Sequence, residues 1–318
     1  CRKFWPKRLR GVCLDGPGDM QALYSPEVQI LLEWTISPGI LVHSRAALPG
    51  NFYWNQPFSM TPRQYFSLLD VQARMLLKAD ASKFKLGFLW WFLEPLMWVC
   101  VFYIVFALIL DNGRKSGDFV LFLACGKFAF IWFSKTVIQA SGSIVASQGL
   151  IGKVNMPKSL WPMAAIQESL YRQGTVYLLL VGLLALFGIY PGLAWLWMLP
   201  VLVVMYLLIV ASGLVGAYLA CVARDFLKFI PLGMTFLLFT SGIFWDVRQI
   251  PNQEKAELLL TVNPLAFLID AHRQILMYKA APDIVHLAVI AIVCIGVILT
   301  MNALMLRYTH YLALKVLT

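Results

Sequence analysis

The sequence predicts an all-α integral membrane protein: six transmembrane helices, an amphipathic interfacial N-terminal helix before them, and short re-entrant outer helices between helices 5 and 6. Three observations lead there. Apolar residues make up 60% of the chain and charged residues 13%, whereas about a quarter of a soluble domain is charged. Mean hydropathy is +0.74, and apolar segments recur from Trp90 to Leu306 at close to the roughly 20 residues needed to cross a bilayer. Third, basic residues alternate between the links. With the amino terminus taken as cytoplasmic, eighteen Lys and Arg fall inside and six outside, or twelve and six when residues before Met60 are set aside. Both ratios obey the positive-inside rule, so the net charge of +10 is read as membrane orientation and not as a nucleic-acid surface.

Residues 1–59 begin at Cys1, are rich in Pro, Gly and Trp, and show no sustained period. They are read as a poorly ordered extension, either a short extramembrane segment or upstream sequence that is not part of the natural product; Met60, followed by a clean helix start, favours the second. Residues 60–318 form the membrane domain. Thr61-Pro62 reads as an N-cap with Pro in the first turn. Tyr65, Leu68, Leu69, Gln72, Met75 and Leu76 then share one face, and Asp70, Arg74 and Lys78 share another at i, i+4 spacing. Such a basic amphipathic helix lies along the inner membrane surface. Lys83 and Lys85 mark the interface before the chain dives at Gly87.

The predicted spans are 90–110, 119–138, 174–189, 193–220, 226–244 and 284–306. The third is short and borrows Leu170 and Tyr171, and the fourth holds Pro200, a candidate tilt or kink. The inner link 139–173 carries Gln148-Gly-Leu-Ile-Gly-Lys-Val-Asn-Met-Pro-Lys158. It is too polar to continue the second span and too apolar for a solvated linker. A short helix presenting Leu150, Ile151 and Val154 beside Lys153 suits a groove on a partner; a surface turn with snorkelling lysines fits the spacing as well. The outer link 245–283 holds two half-length apolar helices broken at Asn263-Pro264, which can re-enter the bilayer but not span it. Asp270 and Arg273 fall on the second, where a structural salt bridge is the plain reading.

Chemical motifs are absent where an enzyme would need them. The six cysteines form no CxxC pair and the four histidines are scattered, so no metal site is expected. Gly149-Leu-Ile-Gly152-Lys153 echoes a phosphate loop but lacks its first glycine and has Val154 in place of Ser or Thr. The chain is expected to bind no cofactor itself. Glu94 is the only acidic residue in an apolar span, which disfavours an ion-coupled carrier. Lys127 and Lys135 lie about 80° apart on the second span. Lys135 can snorkel inward, whereas Lys127 faces a water-filled path or pairs with Glu94, or belongs to a buried structural pair. Trp90 and Trp91 suit an interfacial belt. Trp98, Phe102, Trp132 and Phe133 lie deeper, where they could line a sugar-passing tunnel or simply face lipid and core.

From Met60 onward the chain resembles the transmembrane subunit of ABC-2-type polysaccharide exporters, the permeases for O-antigen, capsule and teichoic acid. The residues that carry the resemblance are Phe122-Leu123 with Gly126, Trp132-Phe133-Ser134, Gly149-Leu150-Ile151 through Lys153 to Pro157, Arg224-Asp225, and Asn263-Pro264 with Asp270 and Arg273. Lys127 departs from the apolar residue usual after that glycine. The resemblance implies a homodimer with two copies of an ABC ATP-binding subunit, which hold ATP and Mg. It implies a lipid-linked polysaccharide substrate, a bacterial inner membrane location and both termini cytoplasmic. ATPase coupling would fall to Leu150, Ile151, Lys153, Pro157 and Lys158. Trp98, Phe102, Lys127, Trp132 and Phe133 would line the path, and Asn263, Pro264, Asp270 and Arg273 the outer gate. The alternatives are an ABC-2 permease for drugs or lipids, and a membrane-bound glycosyl- or acyltransferase using Glu94, Asp225 or Asp270.

Overall fold

The computed structural model describes residues 61–83, 85–105, 116–151 and 156–308, with Lys315. The expected extension over 1–59, the end of the first span beyond 105, Lys153 and Val154 lie outside these residues, as do the side chains of Phe102 and Ile151. Among the described residues every regular element is helical: α1 Pro62–Ser82, α2 Trp90–Phe102, α3 Ser116–Ala146, α4 Gln148–Ile151, α5 Leu160–Leu186, α6 Met198–Val222, α7 Phe226–Thr240, α8 Gln253–Val262, α9 Pro264–Leu276 and α10 Ile284–Arg307.

Thr61 caps α1 as its sequence suggests. Its hydroxyl accepts from Gln64 N, the Gln64 side chain accepts from Thr61 N, and Pro62 opens the helix. The buried stripe differs from the expected one. Leu69 and Ala73 are buried, Tyr65 and Leu76 pack beside Leu160 and Ala164 of α5, and Met75 is exposed. α1 therefore docks on protein along one edge and leaves Phe66, Val71 and Met75 outward. Tyr171 donates to Asp70 and Arg172 pairs with Asp80 at 3.4 Å, which ties the helix to α5 at two further levels. Gly87, with φ +51, supplies the left-handed turn from α1 into a 3-10 segment, Gly87–Leu89, ahead of α2.

Among the described residues, five helical stretches are long and apolar enough to cross a membrane: Gly87–Val105, Asp118–Leu150, Leu160–Leu186, Leu193–Val222 and Ile284–Arg307. The remaining expected span, the fifth at 226–244, is α7, whose 15 residues give about 22 Å of helix against a core of about 30 Å. It stops because Gly242 takes φ +67, a turn that closes the helix four residues before the expected end.

The inner link is shorter than its composition suggests. α3 continues to Ala146 and α5 starts at Leu160, which leaves 147–159 between them. Ser141 and Ser143, inside the expected link, belong to the helix instead: Ser141 donates to Val137 O at 2.6 Å and Ser143 to Ala140 O at 2.7 Å. Pro200 causes no kink because it sits in the first turn of α6, where its missing N–H is not needed.

α3 is the centre of the fold. It packs against α5, α6, α7 and α9, and 78% of its apolar window is buried, compared with 22% for α10. Small residues let it approach α6 closely: a Cβ at Gly213 would lie 3.1 Å from Ala140 Cβ, and one at Gly216 would lie 3.0 Å from Ser141 Cβ. At the opposite end from α4, Asn263 closes α8 and opens α9, its side chain accepting from Leu265 N and Ala266 N. Leu265 to Leu276 are all buried, as expected of a half-length helix held against protein.

Candidate functional site

A cavity of about 300 Å³ opens between α1, α2, α3 and α5. Trp90, Trp91 and Trp98 of α2 line it together with Trp132 of α3, so two tryptophans expected in an interfacial belt share one wall with two expected in a tunnel. Its polar lining includes Glu94, Lys135, Thr136, Ser169, Arg172 and Gln173. Glu94 pairs with Lys135, which corrects the expected pairing with Lys127. The reason is the level of each residue. α2 runs away from the inner end and α3 returns toward it, so the start of α2 meets the second half of α3, while Lys127 lies about 12 Å higher. Lys127 is buried, with its ammonium 4.6 Å from the Trp98 ring centroid and 5.7 Å from that of Phe130. Ring faces compensate a cation there in place of a carboxylate.

The cavity floor is polar and mostly paired. Thr136 and Ser169 hydroxyls bond one another, and Thr136 also donates to Trp132 O at 2.5 Å. Glu168 accepts from Gln139 Nε2 at 2.9 Å and pairs with Arg172 at 3.5 Å. Gln173 is the exception: 6% exposed, with Nε2 making no hydrogen bond. Phe133 is buried in the hydrophobic core away from the cavity lining.

The second expected site is the inner turn. α4 forms one short helix, Leu150 is 54% exposed, and Arg224 Nη2 donates to Gln148 Oε1 at 3.4 Å, fastening the turn to the link after α6. Pro157 is half-buried. Lys158 is only 4% exposed; burial pushes its pKa below the ordinary lysine value, with Cys221 nearby opposing that shift. Its stem therefore anchors the turn. Tyr65 of α1 bonds Ser159 just beyond, while burial raises the phenol's pKa.

The third site is the outer end. Arg273, 3% exposed, donates from Nε to Phe122 O at 3.1 Å, from Nη1 to Gly242 O at 2.7 Å and from Nη2 to Ile243 O at 2.9 Å. Its guanidinium lies 3.6 Å from the Phe122 ring centroid. The expected Asp270–Arg273 bridge is replaced: Asp270 accepts from Arg248 at 3.0 Å and from Gln274 at 2.6 Å. The Gly242 and Ile243 carbonyls, in the turn after α7, have no helical donor, and the planar fork of Arg273 meets that need. Gly126 makes the room, since a Cβ there would lie 2.3 Å from Arg273 Nη2. Asn263 Nδ2 donates to Ser241 Oγ at 3.1 Å, joining α9 to the same turn.

Two features escaped the sequence. Gly126 carries no local signal of what fills its space. A buried relay links Trp132, edge-on to Tyr177, with His272. His272 Nδ1–H donates to Leu268 O at 2.7 Å, so Nε2 accepts from the Tyr177 hydroxyl at 2.8 Å. The one available clue was a Tyr opening the apolar half of α5 and the single His of α9.

The family model described as ABC-2 type transporter matches residues 73–277, from α1 to the end of α9. An O-antigen export system permease protein RfbA of Klebsiella pneumoniae is 27% identical over 214 residues, covering 67% of this chain and 81% of the relative. An O-antigen export system permease protein RfbA of Myxococcus xanthus is 25% identical over 236 residues, covering 73% and 88%. A polysialic acid transport protein KpsM of Escherichia coli is 28% identical over 216 residues, covering 66% and 81%.

Proposed function

Because the chain belongs to the ABC-2 type transporter family, whose permeases work with an ABC ATP-binding partner, we propose that it is the multi-pass permease of an exporter that moves lipid-linked polysaccharide outward across the bacterial inner membrane. The chain is a transport subunit and not an enzyme. Two copies would pair, each with one ATP-binding subunit that holds ATP and Mg, and both termini would face the cytoplasm. The observation that carries the substrate class is the tryptophan-walled cavity, at the end of the fold where the basic links concentrate. Indole faces accept the C–H faces of sugars, and the relatives' names supply the polymer class.

Leu150, Ile151, Lys153 and Pro157 are proposed to meet the ATPase, with Lys158 holding their turn in place. Trp98 and Trp132, together with Phe102, are proposed to border the path, with Lys127 and Phe133 packed behind them. Asn263, Pro264, Asp270 and Arg273 are proposed as the outer gate. Of the three acids open to the transferase alternative, Glu94 is paired with Lys135 and Asp270 with Arg248, which leaves only Asp225, exposed in the link after α6. The test is Leu150→Asp alone and with replacement of Ile151 and Lys153, scored by ATP-dependent surface display of polysaccharide in cells. The expected result is loss of export with normal membrane levels of the chain. Unchanged export would overturn the coupling assignment, and purification of a transport-active chain without any ATP-hydrolysing subunit would overturn the permease reading.

A further inference from the structure

We propose that the cavity between α1, α2, α3 and α5 is a subsite for a single neutral sugar ring, and that Gln173 is the side chain that reads it. This rests on the polysaccharide reading above and adds a ligand charge, a ligand size and a specificity residue. The first support is the orphaned amide. Gln173 lines the cavity, is more than nine-tenths buried, and leaves Nε2 without a hydrogen bond. Its polar neighbour, the Tyr177 hydroxyl, gives its proton to His272 and offers Gln173 only a lone pair outside hydrogen-bond geometry. A buried donor without an acceptor is unfavourable, and a ligand hydroxyl entering beside it removes that penalty.

Charge decides between a neutral and an anionic ligand. The cations at the cavity are taken: Lys135 by Glu94, and Arg172 by Asp80 and Glu168. A phosphate or uronate would have to break one of these pairs and strand a carboxylate. A neutral ring needs only donors and acceptors that can be shared, which Gln173, Thr136 and Ser169 supply. Size agrees, since about 300 Å³ is roughly ten times the liquid volume of one water, the scale of one hexose and its hydration. The indoles of Trp98 and Trp132 supply apolar walls that exclude bulk water from the amide.

The test uses the full chain, copurified with its ATP-binding partner in lipid nanodiscs. Intrinsic tryptophan fluorescence is titrated with the methyl glycosides of glucose, mannose, galactose and N-acetylglucosamine, and separately with glucuronate and glycerol phosphate. The expected result is a saturable change with at least one neutral glycoside and none with either anion at equal concentration. Gln173→Met should weaken that binding about tenfold, or ~1.4 kcal/mol, the worth of one hydrogen bond. If Gln173→Met fails to accumulate, Ser169→Ala probes the same floor with a smaller change and should also weaken binding. Absence of saturation by every neutral glycoside, preference for an anion, or unchanged affinity in the variant that folds would each overturn the proposal. ATP-dependent export is scored in the same cells. Export that persists without sugar binding overturns only this subsite, whereas loss of the ATPase partner from the wild-type preparation overturns the permease reading beneath it.

Discussion

The guanidinium of Arg273 occupies the space that any side chain at position 126 would need. A methyl there would sit 2.3 Å from Nη2, so Gly126→Ala should displace the fork from the three carbonyls it serves. Arg273→Met should do more damage, because it leaves the buried Gly242 and Ile243 carbonyls without their donor at about 1–3 kcal/mol each. Both variants should lower the unfolding temperature of the purified protein in detergent, the arginine variant by more. A second prediction concerns Asp70, whose carboxyl is held below the usual range first by the Tyr171 hydroxyl and then by Arg74. A depressed carboxylate pKa stabilises the folded state above the unfolded value and loses that contribution as pH falls through the folded one. Docking of α1 on α5 should therefore loosen as pH drops below about 4, read as faster proteolysis at Arg74 and Lys78 by an acid-tolerant protease. Tyr171→Phe should shrink this pH dependence, because it brings the folded carboxyl closer to the unfolded one. At this scale the legible features were the local ones. Thr61 and Asn263 announce their helix starts because a cap acts within three residues. The partners of Glu94 and Asp270 did not show, since they depend on which levels of two helices coincide.

Among elements, the contact between α3 and α6 is the least forgiving. Gly213 and Gly216 present no side chain where Ala140, Ser141 and Ile166 press in. Gly216→Val should cost about 1–3 kcal/mol through overpacking, and Ser141→Gly should recover part of it. A double-mutant cycle on thermal unfolding in detergent measures the coupling, and a coupling of zero would contradict this packing. Helix existence was readable from hydropathy at every span, whereas the ends were not. Ser141 and Ser143 fall in the expected link, yet their hydroxyls bond backward into α3. Ser241-Gly242 lies inside an apolar run, yet Gly242 ends α7.

For the whole molecule, the expected topology puts α4 and the α8–α9 hairpin on opposite faces of the membrane. In a cysteine-free background, Leu150→Cys should react with a membrane-impermeant maleimide only in inverted vesicles, and Val262→Cys, also exposed, only in intact spheroplasts. The reverse pattern would invert the orientation drawn from basic residues. Fold class was legible throughout, since composition alone dictates a hydrocarbon solvent, but the pocket was not: it takes side chains from four helices, and no spacing along the chain brings Trp90, Trp132 and Gln173 together. α3 carries one further implication. Its 31 residues are free of proline, and about 36 Å of that helix separates Ala146, beside the Leu150 turn, from the Phe122 carbonyl gripped by Arg273. A strut with no joint cannot store a push and release it later. Motion imposed at one face reaches the other at once, so inward stroke and outward release would share a single clock.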